Sequence, residues 1–423
     1  MDRRVFMKSG ALALVTMGLS PALLRRAVYG MTLPQAARGK VLICLFQRGA
    51  ADALNVVVPH GDASYYRLRP NIAVARPSLA AGTAGALDLD GDFGLHPALA
   101  SLKPWYDRGL LAPIVAVGSP STTRSHFDAQ DFMESGTPDR KGTTDGWLNR
   151  WLATRGTCEA TRGACETPSP FRAVAMTAQT PRALEGPAPV VAMDGLDAFT
   201  VRATGSQADR LEALYRTGRA DVVRAAGSDT FEAVKMLRAA NPQQYAPRNG
   251  ATYPSTDFGR RLRQIAQLIK ADVGLEIAFA DVGGWDTHVN QGGATGQLAN
   301  RLRDFGDSIA ALATDLGDRM DDVVILTMTE FGRTARENGN GGTDHGHAGA
   351  FFALGGAVRG GRVLGRWPGL APEQLNEGRD LALTTDYRAV FGELLTGHLG
   401  AASVASVFPG FDASASVAVL RSR

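Results

Sequence analysis

Residues 323–349, VVILTMTEFGRTARENGNGGTDHGHAG, constrain this chain more than any other stretch. The run VVILTMT is short, almost wholly apolar and rich in β-branched residues, the composition of a strand covered on both faces in a parallel sheet. It leads into Glu330, and after a glycine-rich loop come Asp344, His345 and His347. A carboxylate at the carboxyl end of a strand, followed by an acid and two imidazoles, predicts a ligand site, because that edge of an α/β sheet is where ligands bind.

Other segments repeat this logic. KVLICLF (40–46) predicts the first buried strand, running into QRGAADALNVVVP with its Asp52 and Asn55. FGLHPALASLKPWYDRGLLAPIVAVGSP predicts a helix over 97–107 and a strand over 112–117, the spacing of a βαβ unit. In SPSTTRSHFDAQDFMESG the hydroxyls of Thr122, Thr123 and Ser125 fall where strand gives way to helix, and the helix is expected over 126–135 with Gly136 closing it. A hydroxyl there faces backbone N–H groups that favour anions; its plainer use is as an N-cap.

LEIAFADVGGWDTHVNQ (275–291) is an apolar strand ending in a glycine pair, then Asp286 and His288, which project to one side of an extended segment. Helices are expected over 256–270 and 298–318, AFFALGG as a further strand, and a C-terminal helix capped by Thr385 or Asp386. Residues 140–255, irregular and interrupted by prolines, read as an insertion or lid. The pattern implies one large α/β domain over 38–423 with a mostly parallel central sheet.

The first thirty residues are set apart. Arg3 and Arg4 precede Phe6, Lys8 and an apolar run to Leu24, the arrangement of a twin-arginine export signal. Gly10, Gly18 and Pro21 interrupt the run, which is shorter than the roughly 20 apolar residues a bilayer span needs. An N-terminal anchor is the alternative. This segment carries five basic groups and one acid, a net +4, so the rest of a chain of net charge +3 stands near −1. That balance leaves no footprint for nucleic acid. Of the three cysteines, Cys158 and Cys165 bracket a polar loop and are candidates to pair outside the cytoplasm, whereas Cys44 lies in an apolar strand as a small core residue.

Asp286, His288, Glu330, Asp344, His345 and His347 mix carboxylate with imidazole. That donor set suits zinc, or another divalent ion such as manganese, better than the all-oxygen preference of calcium. With a metal present, the hydroxyl at the Ser125 turn becomes a nucleophile. Arg124 and Arg333 offer forked guanidinium groups for phosphate or sulfate oxygens, the bland alternative being solvated surface arginines.

GGWDTHVNQ, TEFGRT, GTDHGHAGAFFALGG and TRSHFDAQDFMESG, with the D-x-L-N segment Asp52 to Asn55, resemble the exported bacterial family catalogued as domain of unknown function 1501. That family is similar to the alkaline phosphatase superfamily, which includes sulfatases and metal-dependent phosphoglycerate mutases. The resemblance implies a three-layer α/β/α sandwich. It also implies Ser125 as nucleophile, with Thr123 or His126 as neighbouring candidates, Asp286 and His288 as a metal pair, Glu330 as the carboxylate after the next strand, and His345 or His347 as the late ligand. Asp52 is the candidate for the aspartate that normally ends the first strand, and Phe331 stands where a histidine is usual.

The expectation is therefore an exported, metal-dependent hydrolase acting on a small anionic ester or glycan-linked substrate. The alternative is a non-catalytic cell-envelope protein on the same scaffold, binding glycans or an envelope protein partner. A metal-free serine esterase using Ser125 with His126 or His345 lacks the usual glycine-flanked elbow.

Overall fold

The computed structural model describes residues 39–78, 84–155, 169–196, 245–413 and 416–422. The expected export signal, Cys158 and Cys165, and most of the expected insertion lie outside them.

The buried apolar runs form the centre of the fold. Strands β1 (Val41–Gln47), β5 (Leu111–Gly118), β8 (Ile277–Val282), β9 (Val323–Met328) and β10 (Gly349–Gly355) are joined by short β6 (Ala173–Ala175), β7 (Val191–Ala192) and β11 (Thr385–Asp386). Together they make an eight-stranded sheet in the order β11-β5-β10-β9-β1-β8-β6-β7. Strands β2 (Val57–Val58), β3 (Leu87–Asp88) and β4 (Gly94–Leu95) make a small second sheet.

All pairings in the large sheet are parallel except those of β10, which runs antiparallel between β5 and β9. The carboxyl ends of β5, β9, β1 and β8 therefore share one edge with the amino end of β10. This is the α/β architecture, with a large and mostly parallel sheet, that the sequence predicts.

Alternate residues of β1 enter opposite cores, as a strand with period two requires. Val41, Ile43 and Leu45 pack with the helices α3 (Asp257–Lys270) and α4 (Gln297–Leu316), whereas Leu42, Cys44 and Phe46 pack with α2 (Trp147–Thr154) and α5 (Tyr387–Glu393). Helices thus cover both faces, and each large apolar side chain so buried contributes about 1.5–3 kcal/mol. Cys44 is fully buried, and that burial pushes its thiol well above the ordinary value. Among the described residues no helix is long and apolar enough to cross a membrane.

Two local departures from expectation have physical causes. The helix expected over 97–107 is split into a 3-10 segment, Pro97–Leu102, and a short helix, Lys103–Asp107, with a break at Leu99. Pro104 has no N–H to continue the first ladder. Within the expected insertion, Trp147–Thr154 packs in the core and β6 and β7 extend the sheet edge, so these parts belong to the main body.

One irregularity points at the site. Gly349 pairs with Val117 but Ala350 with Val115, so Ala116 is an extra, bulged residue with a φ of 52°. A bulge bends its strand and re-aims the residues beyond it. Here it turns the end of β5 into the segment 119–125 that leads to helix α1 (His126–Ser135).

Candidate metal centre

Helix α1 starts and stops as its sequence dictates. Ser125 is the N-cap, its Oγ accepting from the Asp128 N–H at 3.4 Å, and Gly136 closes the helix at φ 70° in the left-handed region. The first helical residue, His126, points toward the strand edge. Its Nδ1 meets Glu330 Oε1 at 2.8 Å, just beyond β9. Glu330 is completely buried, and the same oxygen accepts from Gln130 Nε2 and from the Gly49 N–H, each at 2.8 Å.

Three histidines converge. His345 Nε2 lies 3.0 Å from His126 Nε2 and 3.0 Å from His288 Nε2. Asp286 Oδ1 stands 3.0 Å from His288 Nε2, 3.3 Å from His345 Nε2 and 3.5 Å from His126 Nε2. Ligand atoms of His126, Asp286 and His345 all fall within 4.8 Å of one another. A tetrahedral zinc ion with bonds of about 2.0–2.1 Å sets its ligands about 3.3 Å apart, close to these separations.

The far side of each ring fixes its orientation. His126 Nδ1 faces the Glu330 carboxylate, His288 Nδ1 faces Asp344 Oδ1 at 3.0 Å, and His345 Nδ1 faces the Arg124 carbonyl at 2.9 Å. A carbonyl only accepts, and so does an ionised carboxylate, which assigns the proton to Nδ1 in all three rings. Their Nε2 atoms are then turned inward together with a carboxylate oxygen. This is the outer-sphere pattern of metal-binding histidines, and the chain's own residues fit a divalent cation.

The electrostatics of the cluster follow from the same contacts. Hydrogen bonding to Glu330 raises the His126 pKa above the ordinary histidine value. Burial foremost lowers that of His345, with the neighbouring His126 acting the same way. Burial works to raise the Glu330 pKa, but hydrogen bonds from His126, Gln130 and Gly49 bring it below the usual carboxylate range. Asp286 is likewise lowered, the Arg333 guanidinium overcoming the opposing effect of burial.

Backbone contacts bring the segments close. A Cβ on Gly49, which has a φ of 116°, would meet the Asp286 backbone nitrogen at 2.9 Å; a Cβ on Gly346 would meet the Arg333 carbonyl carbon at 2.3 Å. Only glycine permits these approaches. Phe331 supplies a wall, stacked on His126 with ring centroids 4.9 Å apart and tilted against His345 at 5.2 Å.

The other sequence candidates take different places. Arg333 is fully buried, its guanidinium donating to the carbonyls of Gly49, Ala50, Trp285 and Thr343 and to Asp286 Oδ1, so it holds the Asp286 side chain from within. Arg124 contributes its carbonyl to His345 while its side chain pairs with Glu377 at 2.8 Å and Asp380 at 2.6 Å. Asp52 is engaged by Arg69 on both oxygens, at 2.6 and 2.9 Å, and by Gln291. His347 Nε2 donates to the Ser119 carbonyl at 3.1 Å, away from the three converging rings. Thr123 Oγ1 accepts from the Ser125 N–H at 3.3 Å, so both hydroxyls take part in the turn.

Gln130 was not among the sequence candidates. Its position four residues after His126, on the same helix face, is a readable signal. The role of Gly49 as a backbone donor carries none.

No curated protein matches the chain. A family model described as Protein of unknown function (DUF1501) matches residues 39–407, a span that takes in every residue of the histidine cluster. The chain belongs to that family.

Proposed function

We propose that this chain is an exported, metal-dependent hydrolase of phosphate or sulfate esters, on an alkaline-phosphatase-like α/β/α sandwich. His126, His345 and Asp286, with His288 beside them, would hold a divalent ion, zinc before manganese or calcium. The observation that carries this reading is the fixed orientation of three rings, each with Nδ1 on an acceptor and Nε2 turned toward Asp286. Such a set brings lone pairs and a negative charge to one place, which a cation relieves.

A bound divalent ion supplies Lewis-acid stabilisation of developing oxygen charge and lowers the pKa of a coordinated hydroxyl or water. The protein's residues prepare the place for it. Glu330, Asp344 and the Arg124 carbonyl hold the rings, Arg333 holds Asp286, and Phe331 keeps water from one side of His126. Ser125, exposed and next to His126, is the candidate nucleophile; attack by Oγ on phosphorus or sulfur would expel the alcohol and leave a seryl ester for water to cleave.

The second reading, a non-catalytic envelope binding protein, draws on a different observation. The hydroxyls of Thr123 and Ser125 are engaged in turn and cap bonds, and Phe331 occupies the wall beside His126 where a further ligand would stand. Metal analysis of the purified mature chain, with turnover of aryl phosphates, phosphodiesters and aryl sulfates by wild type, Ser125→Ala and His345→Ala, separates the two. Bound metal with turnover lost in both variants supports the hydrolase; bound metal with no turnover in wild type supports the binding protein. Failure to bind zinc, manganese or calcium removes the metal reading. For export, replacing Arg3 and Arg4 with lysine is expected to retain the precursor in the cytoplasm.

A further inference from the structure

Beside the histidine cluster runs an open groove of about 570 Å³, lined among others by Arg67, Arg336, Glu337, Asp344, Leu375 and Arg379. Its volume lies within the range of small-ligand sites, roughly 300–1,000 Å³. It begins one imidazole ring from the cluster, because Asp344 lines the groove and also accepts from His288.

The charges in the groove are unevenly satisfied. Glu337 is occupied by the Asn71 and Ile72 backbone N–H groups, each at 3.0 Å, and by the Asn71 side chain; Asp344 is occupied by Asn338 and His288. Arg379 donates to the His345 carbonyl at 2.7 Å, which fixes its place next to the cluster, and it is paired with Asp380 at 3.5 Å. Arg67 and Arg336 are exposed, and among the described residues neither is paired with a carboxylate; Arg67 makes one bond, to Ser64 Oγ. Two guanidiniums without a carboxylate partner among the described residues thus stand in a groove whose own carboxylates are already engaged. Forked, weakly hydrated guanidinium groups match phosphate, sulfate and carboxylate.

We propose that this groove is a subsite for a second oxyanion carried by the same ligand that engages the cluster, so that the preferred ligand has two anionic groups. The inference rests on the proposed function only for what happens to the first group. Binding at the groove is separable from hydrolysis.

Calorimetric titration of the mature protein with a sugar bisphosphate and with the matching monophosphate tests it, in wild type, the Arg67→Ala/Arg336→Ala double variant and His345→Ala. The bisphosphate is expected to bind wild type at least tenfold more tightly, and the double variant to lose that advantage while keeping the wild-type metal content and melting temperature. His345→Ala is expected to retain anion binding that the arginine substitutions remove. Equal affinity for the two compounds in wild type, an undiminished preference in the double variant, or no binding of either compound would overturn the subsite. Loss of turnover in His345→Ala alone would bear on the hydrolase reading and leave the groove unaffected.

Discussion

His345 Nε2 stands 3.0 Å from the Nε2 atoms of both His126 and His288, although the first of these rings is 219 residues away in the chain. One ring nitrogen carries at most one proton, so no arrangement of hydrogens in neutral rings satisfies all three. Hydrogen bonding to Glu330 raises the His126 pKa, whereas burial lowers that of His345, so the two adjoining rings are shifted in opposite directions.

Glu330→Gln keeps the shape of the side chain and removes its charge, weakening its hold on His126 Nδ1. Zinc affinity, measured by competition with a chromophoric chelator, is expected to fall about 10–100-fold, as for other partners of metal-binding histidines. Unchanged affinity would mean that Glu330 does not orient the ring.

Ser125→Ala removes the N-cap of α1. A loss of about 1 kcal/mol in urea unfolding is expected from that change, with metal content intact. Turnover separates the hydroxyl's two roles: a structural cap leaves the rate per folded molecule near wild type, while a nucleophile takes it to background.

Arg69 and Asp52 form a two-pronged ion pair in which both side chains are almost completely buried. Arg69→Met leaves the Asp52 carboxylate buried without its main partner, at an expected cost of about 3–5 kcal/mol in denaturant unfolding. A cost below about 1 kcal/mol would show that water or Gln291 compensates.

Asp315 accepts from Tyr253 at 2.9 Å and the Arg248 N–H at 2.7 Å, and pairs with Lys270. Burial opposes ionisation, but these partners hold its pKa below the ordinary value. A depressed folded pKa gives stability that is fully present above the unfolded value of about 3.9 and lost as pH falls through the folded one. Asp315→Asn is therefore expected to be less stable than wild type near neutrality, with the gap narrowing below about pH 4. A gap constant with pH would contradict the assignment.

The strands were legible because they are covered on both faces, which makes VLICLF and VVILTM almost wholly apolar runs. The three ligand segments were legible because each directly follows or precedes such a run. The choice between His345 and His347 was not, since they lie only two positions apart and only the fold shows that His345 pairs with Arg333 and turns its Nε2 to His126 and His288 while His347 meets the Ser119 carbonyl. The family resemblance pointed first to the Ser125 hydroxyl, whereas the side chain aimed at the cluster is the next one, His126. Nor does a sequence reveal that Arg333 is buried, or that Ala116 is a bulge, because an alanine at positive φ has no compositional mark.

The antiparallel strand of the large sheet has a consequence for how the centre is assembled. His345 reaches its place by way of β10, whose pairing with β5 and β9 joins parts of the chain far apart in sequence. A slip of one residue in that register would turn every side chain of the strand to the opposite face, and the Ala116 bulge marks the correct alignment. Because the four donors arrive on three separate segments, affinity for a cation would report completed sheet pairing. A bound ion would in turn act as a cross-link across more than two hundred residues, penalising the unfolded chain as closure of a long loop does.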